Sequence, residues 1–355
     1  MRRLFLTIAL GCMTQGAQAQ DPLVGGYVAA LYDGDSVTAM EIEGIADPDS
    51  GAAVSMDTVF HVASLSKQIT GAALAFAILD GKVSLDDPVA KHIPEAAHYG
   101  EALEVGHLLY FTSGLSEAYD LPREGGQPWS THFHFSVDDA IEASLSVEEL
   151  QFAPGTEWRY NNINFQLIAE IVERAYEKPF SAVVRERVFE PLGMSASLIH
   201  DDVTTVIPNR ANGIAPRTAG FIGALKSTGL TVHKEGGPIL IRRNAPHYGG
   251  SGVMTSMRDW MLWQEEILTR DAFGEAFWDL MVSTRTYEHP KDNDAFGLVH
   301  GDANGEPILW FAGSDIDASS YHLVAPRLGR AAACFSNQPG FDCRARANAL
   351  FDQDR

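Results

Sequence analysis

The sequence predicts a mixed α/β (α+β) fold: an antiparallel sheet flanked by helices, with a helical part inserted into one discontinuous domain. Strand-like segments lie at both ends of the chain, while helical periodicity fills the middle. Strands from the two ends can pair in one antiparallel sheet if the middle is an insertion. We therefore expect an α/β subdomain from residues 20–89 and 286–355, and a mainly helical subdomain from residues 90–285.

The N-terminal part of this sheet is predicted from alternating apolar residues. Residues 24–32 and 36–44 are expected to form two strands joined by the turn Asp33-Gly34-Asp35, a pattern typical of a hairpin. A third short apolar stretch, residues 58–62, leads into Ser64, after which apolar residues follow a helical period. Ser64 is therefore expected where a strand gives way to a helix.

Apolar residues follow a helical period in the middle of the chain and a strand period toward its C-terminal end. Ser136 with Asp139, and Ser256 with Asp259, form capping patterns that open helices. Beyond the inserted part the strand period returns, and a helix follows it. The expected strands are residues 295–300, 307–311, 320–324 and 331–336, and the expected helix is residues 341–351.

Composition and charge limit the class of protein. The 355 residues are 45% hydrophobic and 21% charged, which is typical of a soluble globular enzyme. The formal net charge of −21 repels phosphate backbones, so we expect no nucleic-acid partner. The expected partner is a small-molecule or peptide substrate, and the sequence leaves the oligomeric state open.

The first residues are typical of a secretory signal. Arg2 and Arg3 precede the apolar run of residues 4–10, and Ala17-Gln18-Ala19 offers small residues for cleavage. We expect residues 1–19 to be a signal peptide and the mature protein to be periplasmic or secreted. The apolar run is too short to cross a bilayer, so no stable membrane insertion is expected.

The three cysteines leave two alternatives open. Cys12 suggests lipid attachment instead of cleavage near Ala19, although Ala9 stands where such signals usually carry leucine. Cys334 and Cys343 either form a disulfide or remain free thiols, because the sequence does not give the distance between their Cα atoms.

Ser64-Leu65-Ser66-Lys67 places a hydroxyl and an amine three positions apart. On a helix the two side chains share one face, with Cβ atoms about 5 to 6 Å apart. A desolvated lysine has a lowered pKa and can take the proton of a serine nucleophile, and a helix N-terminus favours the negative charge that develops. Alone, the motif is short and equally compatible with an ordinary helix start that carries a surface lysine.

A second candidate group is Tyr160-Asn161-Asn162, which lies just before a helical pattern. A phenol near a lysine ammonium is stabilised as phenolate, so Tyr160 is a candidate proton relay. Asn162 can donate to a substrate carbonyl and contact Lys67. The tripeptide is also compatible with a helix cap, and both roles can coexist.

Five segments in order resemble the β-lactamase-related serine hydrolase family, which includes class C β-lactamases, penicillin-binding proteins and family VIII esterases. The resemblance implies a β-lactamase/transpeptidase-like fold, with Ser64 as nucleophile, Lys67 as its base partner, Tyr160 as general acid or base and Asn162 as a substrate contact. It implies no metal and no cofactor. The segments are residues 60–67, 108–115, 152–155, 160–165 and 190–194, and the glycine-rich residues 249–252 extend the match.

The family's third motif, a cationic residue followed by Thr or Ser and Gly, is replaced here by Phe311-Ala312-Gly313-Ser314. The small residues keep the strand open to a ligand, so Phe311, Gly313 and Ser314 are expected at the substrate. The backbone N–H of Ser314 can join that of Ser64 in an oxyanion hole, where one donor is worth about 2.7 to 4 kcal/mol of barrier. The motif thus lacks the cation that would bind a substrate carboxylate, which favours an esterase-like activity on a neutral ester or amide.

Two other functions stay open. One is a catalytically silent binding protein of the same fold. The other is a D,D-peptidase or class C-like β-lactamase, which needs Arg327, His322 or Lys226 to replace the missing cation. His132 and His134 lack a third residue at metal-site spacing, so no metal site is expected there. The chain also lacks a G-x-S-x-G elbow and a phosphate-binding glycine pattern.

Overall fold

The computed structural model describes residues 24–121, 136–227, 231–241 and 247–353. The signal segment, Cys12, His132 and His134 lie outside these ranges. No helix within them is long and apolar enough to span a membrane.

The strands are β1 (Gly26–Asp33), β2 (Ser36–Asp47), β3 (Ala52–Ala53), β4 (Val59–His61), β5 (Leu198–Ile199), β6 (Gly213–Ala215), β7 (Ile239–Ile241), β8 (Val253–Ser256), β9 (Val299–Ala303), β10 (Glu306–Asp315), β11 (Ala318–Ala325) and β12 (Arg330–Ser336). The helices are α1 (Ser66–Leu79), α2 (Val89–His92), α3 (Val105–Leu109), α4 (Val137–Leu145), α5 (Asn162–Tyr176), α6 (Phe180–Val184), α7 (Glu190–Leu192), α8 (Ala219–Ser227), α9 (Met257–Thr269), α10 (Glu275–Met281) and α11 (Cys343–Phe351).

The main sheet joins the two ends of the chain. Its seven strands follow the order β3-β2-β1-β12-β11-β10-β9, and every neighbouring pair is antiparallel. Tyr27 of β1 lies opposite Ser336 of β12, so residues more than 300 positions apart are direct neighbours. The mixed fold with an antiparallel sheet is confirmed. The subdomain boundaries at residues 89–90 and 285–286 stay a prediction.

Alternation along β1 divides the apolar residues between the two faces of the sheet, as the two-residue period of a strand requires. Tyr27, Ala29 and Leu31 pack with α11 on one face. Val28 and Ala30 belong to the larger core on the other face, which also contains α1 and α5. Helix α1 is buried along its length from Ser66 to Ala77, so the start of this helix is fixed from all sides.

The strand expectations need three corrections. The strand expected at residues 295–300 begins only at Val299 and continues to Ala303 as β9. Strand β10 does not end at residue 311 but continues to Asp315, because it pairs with β11 as far as the Asp315–Ala318 register. Small polar residues hide this continuation in the sequence. The helical middle also carries short strands, and β8 lies between β4 and β5 in a second small sheet. The capped helix starts at Ser136 and Ser256 are confirmed.

Cys334 and Cys343 form a disulfide with a Cα–Cα distance of 5.1 Å. The bridge ties β12 to the first turn of α11, and both cysteines are buried in the apolar cluster between the sheet and this helix. A closed loop this short removes conformational entropy from the unfolded chain.

Replacing both cysteines with alanine is expected to lower the free energy of unfolding by about 2 to 3 kcal/mol, because the unfolded chain regains the entropy that the cross-link removes. Urea denaturation of both proteins measures the difference. Reductant should bring the wild type close to the stability of the Cys334→Ala/Cys343→Ala variant and leave the variant unchanged. A wild type that is insensitive to reductant would contradict a stabilising bridge.

Candidate active site

Ser64 lies in a 3-10 turn, Ala63–Leu65, between β4 and α1. Ala63 has φ +47°, a left-handed conformation that non-glycine residues rarely adopt and that costs about 1 to 2 kcal/mol. The turn is held by Ser66, whose hydroxyl donates to Ala63 O at 2.6 Å and accepts from Val253 N at 3.0 Å. Strain at a site fixed by its surroundings is typical of functional positions.

Lys67 is fully buried and its amine has three oxygen neighbours. Nζ lies 2.9 Å from Asn162 Oδ1, 2.5 Å from Gly250 O and 3.3 Å from Ser64 Oγ. Desolvation lowers the pKa of Lys67 to about 7, against the opposing effect of the carboxylates of Glu117 and Asp315. The neutral amine is therefore well populated near neutral pH.

Tyr160 completes the contact with the serine. Its hydroxyl lies 2.7 Å from Ser64 Oγ, and its ring stacks on Phe111 with a centroid distance of 5.0 Å. The Tyr160 side chain is 38% exposed, but its desolvation inside the site raises the pKa of Tyr160 above its usual value, and the charges of Glu117 and Asp315 raise it further. The raised pKa favours the phenol form at neutral pH, and the role of Tyr160 as a proton relay stays a prediction.

The two asparagines at the start of α5 have separate roles. Asn161 is the N-cap, because its side chain accepts from Ile163 N at 3.0 Å. Asn162 is half-buried and carries the oxygen that contacts Lys67. Its backbone N and its Nδ2 donate to Glu117 Oε2 at 2.7 and 3.2 Å, which fixes the amide with its oxygen toward the lysine.

The third-motif residues lie on β10 beside the serine. A Cβ atom at Gly313 would stand only 3.0 Å from Ser64 N and 2.6 Å from Val62 O, so glycine is what allows the strand to approach this closely. Ser314 follows with an exposed side chain. Phe311 is 7% exposed and belongs to the main core, so its side chain brings packing rather than a polar contact to this side of the site.

Three residues are candidates to replace the missing cation of the third motif, and they lie in different surroundings. His322 lies opposite Phe311 in the sheet, but burial lowers its pKa to about 3, so it is neutral. Arg327 lies in a 3-10 turn beyond the end of β11 that is remote from the β10–β11 turn. Lys226 is exposed on α8. A cationic substitute is therefore not provided by His322 or Arg327.

A further polar group lines the segment before the serine. His61 Nδ1 lies 3.0 Å from Asp317 Oδ1, and His61 Nε2 lies 2.8 Å from Ser251 Oγ. Within the described ranges, the side chains of His61, Asp315 and Asp317 place one ligand-type atom each within 4.8 Å of one another, a spacing that can hold a metal ion. The sequence did not indicate the contacts of His61, because Ser251 lies in the glycine-rich loop and Asp317 in the turn after β10, both far from β4 along the chain.

Sequence reasoning also missed Glu117 and the carbonyl of Gly250. Glu117 follows the Thr112-Ser113-Gly114-Leu115 segment that was recognised, and Gly250 lies within the recognised glycine-rich loop. These positions in or beside family segments could have indicated both residues from the sequence. Their contacts with Asn162 and Lys67 depend on pairing between distant parts of the chain.

Replacing Glu117 with glutamine is expected to move the acidic limb of the kcat/KM–pH profile to lower pH by on the order of one unit. The carboxylate raises the pKa of Lys67, so its removal lowers that pKa and keeps the amine neutral in more acidic solution. Rates with an ester substrate between pH 4 and 9 measure the limb. Glu148→Gln, at an exposed glutamate, is the control and should leave the limb in place; an unmoved limb in Glu117→Gln would contradict the coupling.

The sequence of the chain is similar to the sequences of known proteins. A family model described as Beta-lactamase matches residues 13–354. The chain is 25% identical over 270 residues to the D-alanyl-D-alanine-carboxypeptidase/endopeptidase AmpH of Escherichia coli, covering 74% of this chain and 63% of AmpH. It is 30% identical over 204 residues to the esterase EstB of Burkholderia gladioli, covering 53% of this chain and 50% of EstB.

Among solved structures, a penicillin-binding protein from Bacillus halodurans is similar with a TM-score of 0.76, at 20% identity, over 93% of this chain and 96% of that one. This likeness concerns the fold. The chain spans between half and two thirds of the length of the two curated relatives above. Because the family model covers nearly the whole sequence, the chain belongs to the beta-lactamase family.

Proposed function

We propose that the protein is a serine hydrolase that works through an acyl-enzyme at Ser64, without a cofactor. The observation that carries the proposal is the placement of Lys67. A neutral amine has two N–H groups, and Asn162 Oδ1 and Gly250 O accept two hydrogen bonds from Nζ. The lone pair is then free to face Ser64 Oγ at 3.3 Å and take its proton.

In the proposed reaction, Ser64 Oγ attacks the substrate carbonyl carbon as its proton passes to Lys67 Nζ. The oxyanion lies near the backbone N–H groups of Ser64 and Ser314. Tyr160 gives its phenol proton to the leaving group and regains one from Lys67, which leaves an acyl-Ser64 ester. Water then releases the acid by the reverse sequence of proton transfers.

The charges around the serine favour a neutral ester or amide over a lactam that carries a carboxylate. Glu117 and Asp315 act electrostatically on both Lys67 and Tyr160, and negative charge on these carboxylates repels an anionic group of a substrate. Phe311 stands where the family motif has a cation. A penicillin or a peptide ending in D-alanine would bring its carboxylate into this field without the usual partner.

The test compares kcat/KM for a p-nitrophenyl ester, an amino-acid p-nitroanilide and a chromogenic cephalosporin. We expect the ester to exceed the cephalosporin by about 100-fold or more, because an unpaired carboxylate costs a few kcal/mol in the bound state. Hydrolysis of the cephalosporin as fast as the ester would overturn the substrate class and favour the lactamase or D,D-peptidase alternative. Binding of all three without turnover would favour the silent protein.

We also propose that the protein is exported and loses residues 1–19. Support comes from Arg2 and Arg3 before the apolar run, and from the disulfide, since such bridges persist in oxidising compartments. N-terminal sequencing of the protein from periplasmic and extracellular fractions should give a start near Gln20. A mass that retains Met1, or a lipid on Cys12, would contradict cleavage after Ala19.

A further inference from the structure

His61 connects a carboxylate and a hydroxyl through its two ring nitrogens. Nδ1 lies 3.0 Å from Asp317 Oδ1, and Nε2 lies 2.8 Å from Ser251 Oγ. His61 and Asp317 are 5% and 6% exposed, whereas Ser251 is half-buried. The buried pair therefore supports a serine that is partly open to solvent.

The connectivity is that of a Ser-His-Asp triad. An ionised carboxylate accepts the proton of Nδ1 and so fixes the tautomer in which Nε2 carries a lone pair. That lone pair faces a hydroxyl at hydrogen-bond distance, which is the arrangement that activates a serine nucleophile. Chain order does not matter, because the triad is defined by geometry and roles.

The three residues are held by separate structural elements. His61 ends β4, which pairs with β8, the strand that begins two residues after Ser251. Asp317 lies in the turn between β10 and β11, and Gly213 packs on it so closely that a Cβ there would stand 2.7 Å from Asp317 Cβ. Gly252 has φ +88°, which allows the sharp turn after Ser251. Backbone pairing thus positions the group before any substrate binds.

Ser251 stands at the edge of the Ser64 site. The residue before it, Gly250, supplies the carbonyl that accepts from Lys67 Nζ at 2.5 Å. Ser251 has a base of its own in His61, so its activation does not pass through Lys67. The loop that carries Ser251 therefore contacts the Ser64 site, and the two serines have different candidate bases.

We propose that Ser251 is a second nucleophile, activated by His61 and Asp317, which reacts with activated acyl and phosphonyl esters independently of Ser64. Ser251 Oγ bonds to the carbonyl carbon or phosphorus as the bond to the leaving group breaks. The hydroxyl proton passes to His61 Nε2 and then to the leaving group, while Asp317 stabilises the imidazolium. Water then attacks the carbonyl carbon of acyl-Ser251 as His61 Nε2 takes its proton, and His61 returns that proton to Ser251 Oγ as the ester bond breaks and the acid leaves.

The test uses the full chain carrying Ser64→Ala, treated with a fluorophosphonate in the presence of EDTA. Intact mass and peptide mapping should find one phosphonyl group per chain, on the peptide that contains Ser251. Adding Asp317→Asn should slow labelling by about 100-fold or more, because the wrong imidazole tautomer is no longer excluded. Adding Ser251→Ala should abolish the adduct, whereas adding Ser195→Ala, at an exposed serine, should leave it.

Circular dichroism checks that each variant is folded, and His61→Gln gives a second route to the same loss. Absence of a Ser251 adduct in folded Ser64→Ala would overturn the proposal. A labelling rate that Asp317→Asn and His61→Gln leave unchanged would also overturn it and assign His61 to support of the loop. Labelling of Ser64 in the Ser251→Ala protein tests the proposed hydrolase separately, so failure of one proposal is distinguishable from failure of the other.

Discussion

Replacing Ser64 with alanine is expected to lower kcat/KM for an ester substrate by about 10⁴-fold or more. Removal of the nucleophile leaves only substrate binding and oxyanion stabilisation at the Ser64 centre, and in serine hydrolases this residual rate lies several orders of magnitude below that of the intact centre. Ser64 is the hydroxyl that both Lys67 Nζ and Tyr160 Oη approach, at 3.3 and 2.7 Å. Steady-state kinetics with a p-nitrophenyl ester measure the loss.

Residual turnover in Ser64→Ala must be separated from reaction at the second serine. The Ser64→Ala/Ser251→Ala protein provides this comparison. Ser146→Ala is a matched control, because Ser146 is exposed and donates only a local hydrogen bond to Ala143 O within α4 and its C-terminal turn. The control should retain wild-type rates. Loss of less than tenfold in Ser64→Ala/Ser251→Ala relative to Ser251→Ala would contradict the role of Ser64 as the acyl-forming residue.

Replacing Lys67 with methionine is expected to lower kcat by about 10³-fold, within the range for loss of a positioned general base. The wild-type rate should rise as the pH passes about 7, because the neutral amine is the active form and desolvation sets the pKa of Lys67 near that value. The variant should lack this acidic limb. A limb that survives in Lys67→Met would assign the titration to another group.

The Lys67→Met substitution is also expected to change how the free energy of unfolding depends on pH. In the unfolded chain the lysine pKa has its ordinary value of 10.5, and in the folded protein it is about 7. Between these values the unfolded state binds a proton that the folded state lacks, so stability rises with pH across this window. Relative to Lys67→Met, the wild type should gain up to roughly 4 kcal/mol in unfolding free energy from pH 7 to 10.5.

Chemical denaturation of both proteins at several pH values measures that gain. Lys178→Met serves as the control, because Lys178 is exposed and forms an ion pair with Glu186. The Lys178→Met curve should follow the wild type. Parallel curves for the wild type and Lys67→Met would mean that burial does not depress the pKa of Lys67.

The sequence located much of the candidate site because its parts are short local segments. Ser64 and Lys67 share one helix start, and Tyr160 and Asn162 share another, so each pair is fixed by chain geometry alone. Their order along the chain then indicated the family. The antiparallel sheet followed from period-two patterns at both ends, which β1 and β12 confirm.

The tertiary structure decided what depends on contacts between distant segments. The pKa of Lys67 is set by burial and by Glu117, 50 positions away in the chain, and Tyr160 stays a phenol because its hydroxyl is desolvated. His322 was a candidate cation until its position inside the sheet made it neutral. The pairing of His61 with Asp317 and Ser251 requires three segments that only folding brings together. Residue types and local spacing thus determined the family and predicted the nucleophile. The pKa values of Lys67 and His322 and the contact between Ser251 and His61 were decided by packing, because desolvation and long-range hydrogen bonds have no local signature in the sequence.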